Sequence, residues 1–375
     1  MAVAAGQCVE PLRVVLDARK LGDGGIGVYI ENLIEGLLGL PDDGRPELSL
    51  IVNDEGDTSR WGSFVEPIVS PARKYSLDEY LVMPLRLRDI LKRADVFHAP
   101  HYTLPYFLSV PAVTTIHDVI HLTHPDTVIH RPVARQLIGS ALRRSAHVIT
   151  VSEASRRTIE EQFSRAIPRM SVIPNALRSG IVTGVRSSDS AADIFGLSAP
   201  YVVFVGGERP HKGFRELLQA TAELNQRRRE RGLKELVIAA CGDGFTERAR
   251  SWCQELGLQG VVRFLDVVDE RDLVILYRDA ALTVVPSRAE GYGLVALEAL
   301  WFACPTVCSP APSLIEVCRD AGWFADDFSA ASLSAAMEAA LTNDLEREEK
   351  KRRGIERARL FTARRQAIET MRVYR

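Results

Sequence analysis

Short β-rich runs alternate with helical patterns twice along this chain, and that alternation is the strongest constraint on its fold. The first series reads RVVLDAR, ELSLIVN, ADVFHAP, AVTTIHDVI, HVITVS and MSVIPN, with amphipathic stretches such as VYIENLIEGLLGL between strands. Strands separated by helices pair in parallel, with the helices covering the sheet faces. A second series starts at YVVFVGG and runs through ELVIAACGDG, VVRFLDVV, ALTVVPS and CPTVCSP. The expected fold class is α/β, built from two Rossmann-like doubly wound domains, and 375 residues suffice for two such cores.

Between the two series lies LRSGIVTGVRSSDSAADIFGLSAP, rich in Ser, Gly and Ala and without periodicity, which places the break near residues 180 to 198. The predicted organisation is a first domain over 1–185, a second over 186–355, and a charged helix over 356–375. That helix does not continue the β/α alternation and is expected to pack back on the first domain. The net charge of −2 gives no reason to expect a nucleic-acid partner. Six cysteines without a C-x-x-C pair read as reduced, packed thiols. No run approaches the ~18 apolar residues of a membrane span, and MAVAAGQCVEPLR lacks the features of a secretion signal, so a cytoplasmic protein is expected.

In open α/β sheets ligands bind beyond the carboxyl ends of the strands, so the loops there are the candidate ligand sites. After YVVFVGG comes ERPHKGFRELLQA, which sets Arg209 and Lys212 at the entry to a helix. Cations beside the free N–H groups of a helix start suit a diphosphate. EGYGLVALEAL repeats the logic: Gly291 and Gly293 permit a bend, a helix starts near Leu294, and the amides of Leu294 and Val295 point at an anion. Glu290 precedes that helix and Glu298 lies one turn past Leu294. A diphosphate at the helix mouth would be flanked by the two acids. Carboxylates accept hydrogen bonds from vicinal hydroxyls, so one suits a hexose and the other a ribose. Read singly, the glutamates are a loop charge and a helix-start acid; their conjunction with Arg209 and Lys212 favours a site.

PSRAEGYGLVALEAL and VGGERPHKGFRELLQA resemble family-4 glycosyltransferases of the GT-B fold, which are retaining, metal-independent and use nucleotide sugars. The resemblance extends over GGIGVYIENLI, TIHDVIHLTHP, VITVSEASRRTI, VIPNAL and FTARRQAIETMRVYR, almost the whole chain. It implies two domains facing across a cleft, with the last helix crossing back to the first. It puts Glu290 near the donor hexose, Glu298 at the ribose, Arg209 and Lys212 on the diphosphate, and Leu294 and Val295 as backbone donors beside Gly293. Ser309-Pro310-Ala311-Pro312 departs from the usual glycine-containing turn. The GGIGVY and HDVIHL segments are most similar to bacterial O-antigen mannosyltransferases of lipopolysaccharide biosynthesis, which implies GDP-mannose as donor and a glycan or lipid-linked acceptor. No separate cofactor is expected.

On the acceptor side, Gly22, Gly24 and Gly27 satisfy G-x-G-x-x-G, which keeps an NAD-dependent oxidoreductase open as a rival. In the dinucleotide fingerprint the first glycine follows the strand directly, whereas Arg19, Lys20 and Leu21 intervene here. The resemblance instead makes Gly24, Gly25 and Gly27 a loop near the donor phosphates. His117, Asp118, His121 and His124 raise a metal question, but their spacing fixes no common face and no metal is expected. By resemblance His117 lies beside the reacting sugar and Asp118 holds the loop. A catalytically silent nucleotide-sugar-binding module is the second rival. LVMPLRLRDILKR and RPVARQLIGSALRRSAH are basic and amphipathic, and leave open a peripheral contact with the inner face of the cytoplasmic membrane.

Overall fold

The computed structural model describes residues 10–125, 130–163, 169–182, 189–197 and 200–375. The chain divides into two units: Met1–Leu122 with Ile129–Ala176 and Thr362–Arg375, and Thr123–Val128 with Leu177–Phe361. The break at 176/177 precedes the 185/186 boundary expected from composition. The reason is packing: Ile181 joins the apolar cluster of Leu273 to Tyr277, and Arg178 reaches Glu270 and Glu298, so this stretch is held by the second unit.

The first unit is a seven-stranded parallel sheet. Its strands are β1 (Arg13–Asp17), β2 (Glu47–Val52), β3 (Val65–Val69), β4 (Val96–Ala99), β5 (Ala112–Ile116), β6 (His147–Thr150) and β7 (Arg169–Val172). Their order is β3-β2-β1-β4-β5-β6-β7, so the direction of winding reverses between β1 and β4. β4 and β5 are buried at every position, as a central parallel strand covered on both faces must be.

The second unit has six parallel strands: β8 (Tyr201–Val205), β9 (Val237–Cys241), β10 (Val262–Phe264), β11 (Leu282–Val285), β12 (Thr306–Cys308) and β13 (Trp323–Phe324). Their order, β10-β9-β8-β11-β12-β13, reverses between β8 and β11. That reversal sets the loops after β8 and β11 side by side, the place where such sheets bind ligands. VVRFLDVV supplies only the three residues of β10, an edge strand.

The C-terminal segment is two helices rather than one. Asp344–Ala358 ends before a turn, and Ala363–Tyr374 packs on helix Gly24–Leu38 of the first unit. The close approach depends on Gly36, where a Cβ would lie 2.1 Å from the Ala363 carbonyl oxygen. From these helices Asn32 donates to the Ala176 carbonyl and Gln366 accepts from the Ala176 amide, so together they hold the two peptide groups that flank Ala176. Five cysteines are buried free thiols, and Cys8 lies outside the described residues.

Candidate active site

At the β8/β11 reversal a short 3-10 turn, Pro210–Lys212, leads into helix Phe214–Glu230. The Arg288 amide donates to the His211 carbonyl (2.7 Å), tying the two strand-end loops together. Lys212 Nζ lies 2.8 Å from Glu290 Oε1, and Ser287 Oγ donates to the same oxygen at 2.7 Å. Burial would push the Glu290 carboxyl up, but the Lys212 ammonium and the Ser287 hydroxyl outweigh it and hold the group below its ordinary value. Arg209 is exposed, and with Lys212, Gly206, Gly207 and Asp243 it lines an open pocket of about 700 Å³.

Helix Leu294–Trp301 opens as the glycines of EGYGL implied, with Gly293 as its N-terminal flank at φ 112°. A larger residue would be strained there, and its Cβ would come to 2.8 Å from Leu314 Cδ2. Geometry therefore leaves the first-turn amides of Leu294 and Val295 without partners inside the helix. The proline-rich departure is accommodated simply: Pro312 starts helix Pro312–Cys318, where proline's fixed φ suits a helix start. Ser313, one residue on, donates to the Glu290 carbonyl at 2.9 Å.

Glu298 is placed differently from the open flanking position that its spacing implied. It is 1% exposed, accepts from Tyr277 Oη (3.1 Å), and its Oε1 sits 3.3 Å from Arg178 Nε. Burial raises this carboxyl despite those partners. Its Oε1 meets the Arg178 guanidinium as an ion pair without full hydrogen-bond geometry. Arg178 and Tyr277 could not have been found from sequence, being separated from Glu298 by 120 and 21 positions without a motif. Ser287 could have been: it stands three residues before Glu290 in the same loop. Glu208, buried on Thr246 and Arg248, shapes the β8 loop from beneath.

In the first unit, helix Gly24–Leu38 begins at Gly24. Gly24, Gly25 and Gly27 therefore form its first turn instead of a separate loop, because the amides of Ile26 and Gly27 already bond the Asp23 carbonyl. The strand-end loop is Ala18–Asp23, and it is filled by Arg19, which is 2% exposed and forks onto Asp17 (2.8 and 2.6 Å) and Glu79 (2.8 Å). A dinucleotide loop with glycine directly after the strand is not what this segment forms.

His117 follows β5. Its Nε2 lies 3.0 Å from the Pro100 carbonyl, which can only accept, so Nε2 carries the proton and Nδ1 keeps its lone pair. Burial lowers the pKa of this ring, leaving it neutral at pH 7. Asp118 caps the following turn by accepting from the Ile120 amide at 2.9 Å. Among the described residues no group of three His, Cys, Asp or Glu side chains is arranged to hold a metal ion. The structure thus gathers Glu290, Lys212, Arg209, Gly293, Leu294 and Val295 at one strand edge of the second unit, with Glu298 behind them, while His117 and the glycines belong to the first.

Two doubly wound parallel sheets, the second carrying a cationic loop beside a glycine-started helix, define the GT-B class of glycosyltransferases. Two family models match: Glycosyltransferase Family 4 over residues 23–178 and Glycosyl transferases group 1 over 189–361. The chain belongs to glycosyltransferase family 4. It is 30% identical over 290 residues to O-antigen chain mannosyltransferase B of Escherichia coli, covering 75% of this chain and 74% of that protein. To D-inositol 3-phosphate glycosyltransferase of Corynebacterium aurimucosum it is 30% identical over 243 residues, 63% of this chain and 57% of the relative. The Anabaena protein Alr3699/HepE, solved with UDP-glucose, superposes with a TM-score of 0.72 at 17% identity over 96% of this chain and all of that one.

Proposed function

We propose that this glycosyltransferase moves a hexose, with mannose from GDP-mannose as the first choice, onto a hydroxyl of a glycan or lipid-linked oligosaccharide in bacterial cell-surface polysaccharide synthesis. The observation that carries the reading is the Lys212–Glu290–Ser287 cluster set against the Gly293 helix start. An ammonium, an ionised carboxylate and free amides meet there at a strand-edge reversal. Arg209, Lys212 and the Leu294 and Val295 amides take the diphosphate, Glu290 the hexose hydroxyls, and Glu298 a ribose hydroxyl.

Transfer is retaining and metal-independent in this reading. The acceptor oxygen bonds to the anomeric carbon on the face from which the diphosphate leaves, the C1–O bond to phosphate breaks, and the departing phosphate oxygen takes the acceptor proton. Lys212, Arg209 and the helix amides stabilise the leaving charge. His117 Nδ1 accepts a hydrogen bond from a substrate hydroxyl. The E. coli relative's name supports a mannosyl donor, and the Anabaena complex supports a nucleotide sugar.

Membrane contact is proposed through one of the two basic segments only. In LVMPLRLRDILKR, Leu81, Val82 and Leu85 are exposed together with Arg86 and Arg88. In helix His130–Arg144, by contrast, Ala134, Ile138 and Leu142 are buried in the core, so that segment has no free apolar face. No described helix is long and apolar enough to cross a membrane. The proposed location is the cytoplasmic side of the membrane. The test is incubation with GDP-, UDP- and ADP-sugars and a lipid-linked acceptor, with the anomeric configuration of the product read by NMR. An inverted product, or donor binding with no transfer to any acceptor, refutes the mechanism.

A further inference from the structure

The last helix of the chain ends in a residue that the mechanism above does not use. Tyr374 Oη lies 2.6 Å from His98 Nδ1, and His98 Nε2 lies 2.8 Å from Thr115 Oγ1. Thr115 Oγ1 in turn lies 2.9 Å from Tyr29 Oη. The Tyr29 ring then stands edge-on to the His117 ring, centroids 4.8 Å apart at 86°. Tyr374, His98, Thr115 and Tyr29 are buried, at 6, 0, 0 and 0% exposure.

The donor and acceptor roles along this chain of contacts are set together. Burial keeps His98 neutral, with its pKa driven down to about 3. A neutral imidazole donates from one nitrogen and accepts at the other. The tautomer of His98 therefore fixes whether Tyr374 donates or accepts, and by the same choice how Thr115 and Tyr29 orient. Removing the Tyr374 hydroxyl leaves Nδ1 buried without a partner and frees the other three from their single arrangement. Strand pairing supports the geometry independently, since His98 on β4 and Thr115 on β5 lie on adjacent strands of one sheet.

We propose that Tyr374, acting through His98, Thr115 and Tyr29, is a positioning residue that holds the His117 ring with Nδ1 turned to the substrate. The last helix is then part of the acceptor-side machinery as well as of the packing. The inference rests on the role proposed for His117. The groups that face that ring are Lys20 from the loop after β1, His98 on β4, His101 after β4, and its own neighbour Asp118.

The experiment compares Tyr374→Phe and Tyr29→Phe, which keep both rings and remove one hydroxyl from each end, with the unaltered full-length protein. Each should lower kcat roughly tenfold with the KM for the nucleotide sugar unchanged, and the double variant should fall no further than either single one. In 15N spectra of His117 each should blur the Nδ1/Nε2 distinction and move the ring pKa up towards its ordinary 6.5, as water reaches a loosened ring. A lower Tm with kcat and the His117 nitrogens unchanged overturns the inference, as does a double variant whose losses multiply. Should His117→Ala retain full activity, the catalytic assignment of His117 is what fails, and the nitrogen spectra alone then decide the coupling: changed, it stands; unchanged, it falls.

Discussion

Beyond β8 and β11 in the second unit, Arg209 is exposed and the Lys212 and Glu290 side chains keep 24% and 14% of their surface. In the first unit Arg19 after β1, Glu79 after β3 and His98 within β4 keep 2%, 1% and 0%. The same topology thus carries a partly exposed ion pair beside an exposed guanidinium at one edge, and polar groups sealed from water at the other. A partly exposed pair can exchange partners when an anion arrives at a smaller desolvation cost, because water still reaches it. Sealed groups cannot do so without a penalty, and their effect is to hold geometry. A transferase needs both: mobile charge for a leaving diphosphate and a stiff frame for the attacking hydroxyl.

The largest effect should come from breaking the sealed edge. Arg19→Leu strands Asp17 and Glu79 without their shared cation and should cost about 3–5 kcal/mol of unfolding free energy in urea titrations. A loss below 1 kcal/mol would mean the cluster is not sealed. The open edge should answer in rate instead: Lys212→Ala should lower kcat/KM about 10²–10³-fold, roughly 3–4 kcal/mol of transition-state stabilisation, with a stability change below ~1 kcal/mol. Equal losses of stability in the two variants would erase the contrast.

Acid separates the edges by window. His98, His101 and His117 all have folded pKa values lowered by burial, so the unfolded chain binds protons that the folded one refuses. Their contribution is complete above about pH 6.5 and drains as pH falls towards the folded values, at about 1.4 kcal/mol per pH unit per proton. Glu290, also lowered, begins to lose its contribution only below its ordinary 4.5. His98→Gln should flatten the upper limb in pH-dependent unfolding; an unaltered slope between pH 6 and 4 counts against the sealed reading. The smallest effect is expected at Glu298→Gln, which should reduce the thermal shift given by a nucleoside diphosphate by about 1–2 kcal/mol equivalent, leaving its selectivity among sugars intact.

Much of this was legible in the residues. Alternation of β-rich runs gave both sheets, and Gly293 before LVALEAL marked a helix start, because a left-handed turn and a 3.6-residue period are local properties of a few neighbouring side chains. The glycines after β1 misled for a local reason too: they lie within the helix start, since Asp23 accepts from two amides of the first turn. The 176/177 division was hidden because Ile181 and Arg178 are assigned by what they pack against, and a Ser- and Gly-rich stretch carries no sign of that.

By itself, the sequence determined the succession of elements, the identity of the charged residues at the strand ends and the class of fold, because strand and helix periods and turn-forming glycines act over a dozen residues or fewer. Only the tertiary structure decided which of those groups stay open. It put Glu290 on Lys212 across 78 positions, closed Glu298 onto Tyr277 and Arg178, and brought Tyr374 to His98 across 276. Burial and partnership are set by contacts between segments far apart in the chain, and the free energy of a buried polar group depends on them more than on its own identity.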